Sequence, residues 1–179
     1  MLLTSVLFLT GPWDRDVLQA GLEIAPGPAA AAMFSIPGAR LAQRIGMARV
    51  GALGTALFAL GGLLWLTRLS DVPDYAGTFL PAMVIGGAGV GLVIPTVTAA
   101  AAVVLPPERF ATGTAVVSMG RQLGVAVGVA IVVALLGTPQ SADDFQAAYG
   151  FILGASVVSG IALSGLGRVE AAVPEPAAA

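Results

Sequence analysis

The feature that most constrains this chain is the collection of its charged residues into short clusters, with long apolar stretches between them. An apolar helix of about 20 residues, at about 1.5 Å per residue, crosses the hydrocarbon core of a bilayer. Lipid offers the backbone no hydrogen-bonding partner, so each such stretch is expected to form a helix. Five stretches have this length: residues 17–36, 50–67, 78–105, 111–137 and 145–167. We therefore predict an all-α, polytopic bundle of transmembrane helices with five full spans.

The composition excludes most other classes of protein. With 57% hydrophobic and 10% charged residues, the chain lacks the polar helix faces that a soluble protein of this size needs. It has no basic stripe interleaved with aromatic residues, which argues against nucleic acid as a partner. It has no cysteine and no histidine, and it contains no nucleophile–base set or metal-ligating cluster. We predict no enzyme, no metal site and no cofactor, and the lipid bilayer as the immediate partner.

The arginines indicate how the helices are oriented, because arginine concentrates in cytoplasmic loops. Five arginines lie in one alternating set of loops and at the end of the last span, against two in the other set. The first set is therefore expected on the cytoplasmic side of the membrane, together with the C-terminus and a disordered tail at residues 169–179. It includes a predicted loop, residues 38–49, whose motif is Gly38, Arg40, Gln43, Arg44, Gly46 and Arg49.

The first apolar segment, residues 1–10, is too short to span the membrane. Ten residues of helix extend about 15 Å, which is half of the hydrocarbon core. The segment leads into a loop on the non-cytoplasmic side, so its first residue is expected in mid-membrane. We predict a partial helix that begins within a span, with the N-terminal half of the bundle missing. A short re-entrant or interfacial segment is the alternative.

The span 78–105 has a glycine-rich centre followed by a proline. Gly87 and Gly91 have the four-residue spacing at which small residues let another helix backbone approach closely. Pro95 removes one backbone donor and should bend or loosen the helix. Tight helix packing and a hinge beside a moving cavity both fit this pattern. A phosphate-binding glycine loop does not, because no strand precedes the glycines.

Arg121 is one of two charges that fall inside predicted spans. It lies near the middle of the fourth span, where a charge is costly and should face protein or a watery cavity. Gly120, Gly124 and Gly128 form a second small-residue face beside it, and Gln122 can hydrogen-bond between helices. Two interpretations remain open for Arg121: a structural residue that bonds carbonyls or a partner in the bundle, and a residue of the translocation path or of a conformational switch.

Glu23 is the other charge, and the only carboxylate inside a predicted span. It lies about two turns below the membrane surface, where it could reach water as a solvated acid. The alternatives are a buried titratable group in the transport path, or an ion-pair partner for Arg121. Pro26 and Pro28 follow Glu23 and should distort the helix near its middle.

The order and spacing of these motifs resemble the C-terminal half of a major facilitator superfamily transporter, above all the fourteen-helix drug:proton antiporter family of bacteria, and this resemblance implies a bacterial inner membrane as the location. The resemblance extends from about residue 1 to residue 168. Gln43 stands where the family's loop has an aspartate, which argues against an ion-pair latch there, and Ala111 replaces a glycine. The motifs that carry the resemblance are residues 18–22 with Pro26, 38–49, 87–95, 106–113, 121–124 and 128–130.

The resemblance implies export of hydrophobic or amphipathic compounds in exchange for protons, by alternating access between two six-helix halves. Small lipophilic substrates, protons and the missing N-terminal half of the transporter are then the expected partners. The coupling carboxylates are expected mainly in that half, because this chain places only Glu23 within a span. The alternatives are a naturally short membrane protein that assembles with another protein, and a half-transporter that acts as a homodimer.

Overall fold

The computed structural model describes residues 1–104, 109–137, 139 and 141–165, and every regular element in these residues is a helix. A π-helical turn (Tyr75–Phe79) precedes the fifth α-helix and a 3₁₀ turn (Ala142–Phe145) precedes the seventh. The predicted tail at residues 169–179 lies outside the described residues. The α-helices are α1 (Leu2–Thr10), α2 (Val17–Ile24), α3 (Pro26–Ile45), α4 (Met47–Arg68), α5 (Leu80–Val104), α6 (Phe110–Leu136) and α7 (Gln146–Ser164).

Four of the described helices are long and apolar enough to cross a membrane. They overlap the last four predicted spans, and α1 coincides with the predicted partial helix at residues 1–10. The predicted span 17–36 is the exception, because α2 and α3 share it. The four membrane-length helices are Met47–Arg68, Tyr75–Ala100, Ala111–Leu136 and Ala142–Ser164.

Two prolines divide the predicted span 17–36. Pro26 occupies the first position of α3, where its missing N–H needs no partner. Neither Pro26 nor Pro28 can donate to a carbonyl one turn earlier, so the hydrogen-bond ladder is interrupted after Ala25, whose N–H still donates to the Gly21 carbonyl oxygen. Helix α2 is therefore a short piece of 8 residues, and the distortion expected at the prolines is a loss of hydrogen bonds, since Ala25 itself keeps a helical backbone.

The predicted loop 38–49 is wrong as a loop, because residues 38–45 form the last two turns of α3. Gly38 and Ala42 are buried, and Gly38 contacts Leu92 of α5. Arg40 and Arg44 are exposed on the other side of the helix. Positive charge near a helix C-terminus interacts favourably with the helix dipole, so these arginines extend the helix beyond the apolar core instead of ending it.

The connection between α3 and α4 is a single residue, Gly46, with φ 97° and ψ 145°. Side-chain-bearing residues rarely adopt this backbone conformation, whereas glycine does so at no steric cost. Gln43 lies in the last turns of α3 and Arg49 in the first turn of α4. The motif expected in a loop is therefore a helix–glycine–helix corner.

Helix α5 packs between α3 and α4 through glycines on two of its faces. A side chain on Gly87 or on Gly91 would collide with the backbone of α3, at Gly27 and Ala31 respectively. On the α4 side, a Cβ on Gly89 would lie 2.5 Å from the carbonyl oxygen of Gly54. The three backbones approach so closely that no methyl group fits between them.

Aromatic side chains fill the end of the bundle where α1, α4 and α7 meet the turn before α5. Trp65 stacks on Phe79 with ring centroids 5.1 Å apart, and Phe8 meets Phe145 edge-on at 5.2 Å. The indole N–H of Trp13 donates to the Ser70 carbonyl oxygen at 2.9 Å. These contacts fix the connecting segments at this end of the molecule.

Helix α6 stands apart from this arrangement. Only 11% of its membrane-length window is buried inside the molecule, against 44% for the span that contains α5. Gly120, Gly124 and Gly128 of α6 make no contacts of the kind that join α3, α5 and α4, since no described atom of another helix lies near them. Two cavities lie in the space beside α6.

Candidate functional site

A cavity of about 620 Å³ lies between α5 and α6; we call it the arginine cavity. Its α6 wall consists of Thr114, Val117, Ser118 and Arg121. Residues three and four apart lie on the same face of a helix, so these four side chains form one stripe. The stripe is polar at both ends and carries a single charge, that of Arg121.

The α5 wall of the arginine cavity is mainly apolar, with Val93, Ile94 and Val97. Thr98 also lies there, but its hydroxyl donates to the Ile94 carbonyl oxygen at 3.0 Å within α5. An aliphatic surface therefore lies across the cavity from the guanidinium group. Such a cavity suits a ligand with an apolar body and one polar end.

Arg121 and Ser118 are the uncommitted donors of this site. Thr114 donates its hydroxyl proton to the Ala111 carbonyl oxygen at 3.0 Å. Within the described part of the chain, neither Arg121 nor Ser118 has a hydrogen bond or an ion pair to a side chain. The site thus presents a cation and a hydroxyl group together, one helical turn apart.

Arg121 lies far from both ends of α6. It is preceded by about 16 Å of helix from Phe110 and followed by about 22 Å to Leu136, at about 1.5 Å per residue. This places its backbone near the centre of the span Ala111–Leu136. A free charge at this depth is expected to face water or a counter-charge.

A second cavity, of about 420 Å³, continues the same face of α6; we call it the central cavity. It adjoins the arginine cavity, because Val93 and Ile94 line both. Helices α1, α4 and α7 supply its other walls. The α6 residues are Val125, Gly128, Val129 and Val132, which extend the stripe that begins at Thr114.

Four hydroxyl groups in the described part of the chain line the central cavity, those of Thr4, Thr55, Ser156 and Ser159, and two of them donate within their own helices. Ser156 donates to the Ile152 carbonyl oxygen at 2.6 Å, and Thr55 donates within α4. Thr4 is fully buried, and its Oγ1 has no hydrogen-bond partner among the described residues. The central cavity therefore offers an apolar environment with few free polar atoms.

Glu23 pairs with Arg15 and not with Arg121. The Arg15 Nε and Glu23 Oε1 atoms are 3.5 Å apart, and both side chains are largely buried. The hydroxyl group of Tyr75 donates to the Glu23 carbonyl oxygen at 3.0 Å, which ties α2 to the turn before α5. The alternative in which Glu23 serves as the counter-charge of Arg121 is thus wrong, and its role as a titratable group stays a prediction.

The glycine face of α6 is open in this structure. No described atom lies within 4 Å of the point where a Cβ would stand on Gly120, Gly124 or Gly128. Gln122 is exposed and does not line either cavity. Close packing through these glycines, and a hydrogen bond from Gln122 to another helix, stay predictions.

The predicted site residues are therefore only partly brought together. Arg121 lies at a cavity, Gly87 and Gly91 lie at the α3–α5 crossing, and Pro95 is in α5 one turn beyond Gly91. Sequence reasoning singled out Arg121 but missed Ser118, whose signal is its position one turn earlier on the same helix face. The Arg15–Glu23 pair was also missed, because Arg15 precedes α2 and Glu23 lies about two turns into it.

Comparison with known proteins gives a family and two distant relatives. The sequence model of the Major Facilitator Superfamily matches residues 2–179. A puromycin resistance protein of Streptomyces alboniger is 36% identical over 128 residues, which are 69% of this chain and 25% of that protein. A multidrug resistance protein B homolog of Mycobacterium tuberculosis is 29% identical over 123 residues, 68% of this chain and 23% of that protein. The chain thus spans about a quarter of these relatives' lengths, and no solved structure matches it significantly.

Proposed function

This chain belongs to the Major Facilitator Superfamily, and we propose that it is the C-terminal part of a membrane exporter of hydrophobic or amphipathic compounds. The observation that carries the proposal is the arginine cavity, with a cation that has no partner among the described residues, near the middle of a membrane-length helix, and an aliphatic wall on α5. The names of the two relatives, one for resistance to puromycin and one for multidrug resistance, support export of foreign compounds.

Proton exchange is the proposed source of energy. Among the described carboxylates, Glu23 is the best candidate to bind the exchanged proton. Its side chain is largely buried, and its Oε2 has no hydrogen-bond partner among the described residues. A single carboxylate that already pairs with Arg15 is not enough to form a proton path through the protein. We therefore propose that the principal proton-binding groups lie in an N-terminal half that completes the transporter.

The same N-terminal half is the proposed partner of α6. No described atom of another helix lies near the missing Cβ positions of Gly120 and Gly124, and small residues with this spacing let a second helix approach closely. The alternatives, assembly with an unrelated membrane protein or with a second copy of this chain, would use the same face. Cross-linking from a cysteine at Gly124 distinguishes these partners, because the natural chain has no cysteine.

The export proposal is tested with the gene and any reading frame upstream of it, expressed in a bacterium that lacks its major efflux systems. We expect reduced accumulation of a lipophilic fluorescent dye, and normal accumulation once a protonophore collapses the proton gradient. Expression of residues 1–179 alone is the matched control and should not lower accumulation. Dye levels equal to those of the empty vector, at normal protein abundance, would contradict export of that dye.

A further inference from the structure

We propose that Arg121 and Ser118 bind the anionic group of an amphipathic carboxylate, whose apolar body lies against the valine-rich wall of α5. This inference rests on the proposed function and narrows its substrate class, from hydrophobic compounds in general to those with an acidic group. Three features support it: the absence of a described counter-charge for Arg121, the apolar α5 wall of the arginine cavity, and the free donors of Arg121 and Ser118.

Among the described residues, the charge of Arg121 has no counter-charge within reach. Neither α5 nor α6 contains an acidic residue. The described aspartates lie in the segments that join α1 to α2, α4 to α5 and α6 to α7. These segments meet at one end of the bundle, where the Ala142 amide donates to Asp71 Oδ1 at 2.7 Å. Arg121 is about 22 Å of helix away from that end.

An arginine at this depth is stabilised by a negative group that enters the cavity with it. The planar guanidinium can form two parallel hydrogen bonds to a carboxylate. Ser118 lies one turn away on the same face and can donate a third. The neighbouring hydroxyl groups of Thr98 and Thr114 already donate within their own helices, so they do not compete for the anion.

The remaining walls select for an apolar body on the same molecule. Val93, Ile94 and Val97 of α5 line the same cavity as Arg121. A volume of about 620 Å³ is within the range of about 300–1,000 Å³ that accommodates small organic ligands. The central cavity adjoins at Val93 and Ile94, so a longer apolar body can extend along α6 toward Val125.

A matched pair of ligands tests the proposal: 2-naphthoate and its neutral analogue 2-naphthamide, which have the same ring system. Residues 1–179 are placed in nanodiscs of zwitterionic phosphatidylcholine, and binding is measured by equilibrium dialysis with empty nanodiscs subtracted. We expect the carboxylate to bind at least about tenfold more tightly than the amide, since a charged hydrogen bond contributes about one power of ten or more in affinity.

The variants assign the preference to its source. Arg121→Gln should abolish the preference for the carboxylate, and Arg121→Lys should retain part of it, because the positive charge remains but the pair of parallel hydrogen bonds is lost. Ser118→Ala should weaken carboxylate binding by a few-fold and leave the amide unchanged. Arg68→Gln, at an exposed arginine outside both cavities, is the matched control and should change neither affinity.

Several outcomes overturn the proposal. They are equal binding of the two ligands to the natural chain, a preference that survives Arg121→Gln, and a preference that Arg68→Gln also removes. If Arg121→Gln instead lowers the unfolding temperature with no change in ligand preference, Arg121 is a structural residue and the proposal is wrong.

The result is separable from that of the export test. Export of the dye with no preference between acid and amide would overturn the carboxylate site and leave the exporter intact. A preference for the carboxylate that depends on Arg121, with no export by the longer gene product, would support the carboxylate site and overturn the exporter proposal.

Discussion

Glycines with identical spacing have opposite surroundings in α5 and in α6. The backbone of α3 lies directly over Gly87 and Gly91, whereas open space surrounds Gly120 and Gly124. The four-residue spacing indicates that a close approach is possible, but it does not indicate which helix makes it. The identity of the neighbour depends on how the other helices fill the space, which no local pattern contains.

At the scale of the residue, Gly91→Ala should destabilise the bundle by about 1–3 kcal/mol, because the added methyl group collides with the Ala31 carbonyl oxygen. Gly124→Ala is the matched control, and it should be neutral or stabilise by up to about 1 kcal/mol, since alanine is the better helix former. Denaturant unfolding in detergent micelles measures both. Equal destabilisation of the two variants would show that the α3–α5 crossing is not the tight contact described above.

Helix boundaries were less predictable than helix existence. Apolar length was sufficient to predict α4, α5, α6 and α7, because the membrane imposes that length on a helix. The end of α3 was not predictable in this way. A cluster of arginines is equally compatible with a loop and with the exposed turns of a helix, and the contact of Gly38 with Leu92 decides between them.

At the scale of the element, the corner between α3 and α4 depends on the backbone conformation of Gly46. Apart from its chain neighbours, no described atom lies within 4 Å of the position of its missing Cβ, so Gly46→Ala acts through backbone strain and should cost about 1–3 kcal/mol. Gly62→Ala, within α4 and also with room for a Cβ, is the control and should not destabilise. The comparison uses thermal unfolding followed by circular dichroism. Full stability of the Gly46 variant would indicate that the corner has another allowed conformation.

The whole molecule has one tightly packed side and one open side. Helices α3, α5 and α4 meet without room for a methyl group, while α6 is separated from α5 by the arginine cavity. The sequence predicted the class of fold and the position of Arg121 near the middle of a long apolar helix, because both follow from the uncharged stretches. It did not predict the two cavities, since these depend on the tilt and separation of whole helices.

At the scale of the whole molecule, the distribution of arginines predicts that the α3–α4 corner and the C-terminus face the cytoplasm. A green fluorescent protein fused after Ala179 should therefore fluoresce, and alkaline phosphatase at the same position should be inactive. Fusions after Ser70, between α4 and the turn before α5, should give the opposite pair of results. Active phosphatase at the C-terminus would reverse the proposed orientation.

Both tryptophans of the chain, Trp13 and Trp65, belong to the aromatic cluster at one end of the bundle. The intrinsic fluorescence of the molecule therefore comes entirely from that end. It should respond when the connecting segments there separate, and it should stay unchanged when a compound occupies the space beside Arg121. Natural tryptophan emission therefore reports on this end of the bundle only, and a second probe must be added to observe the space beside Arg121.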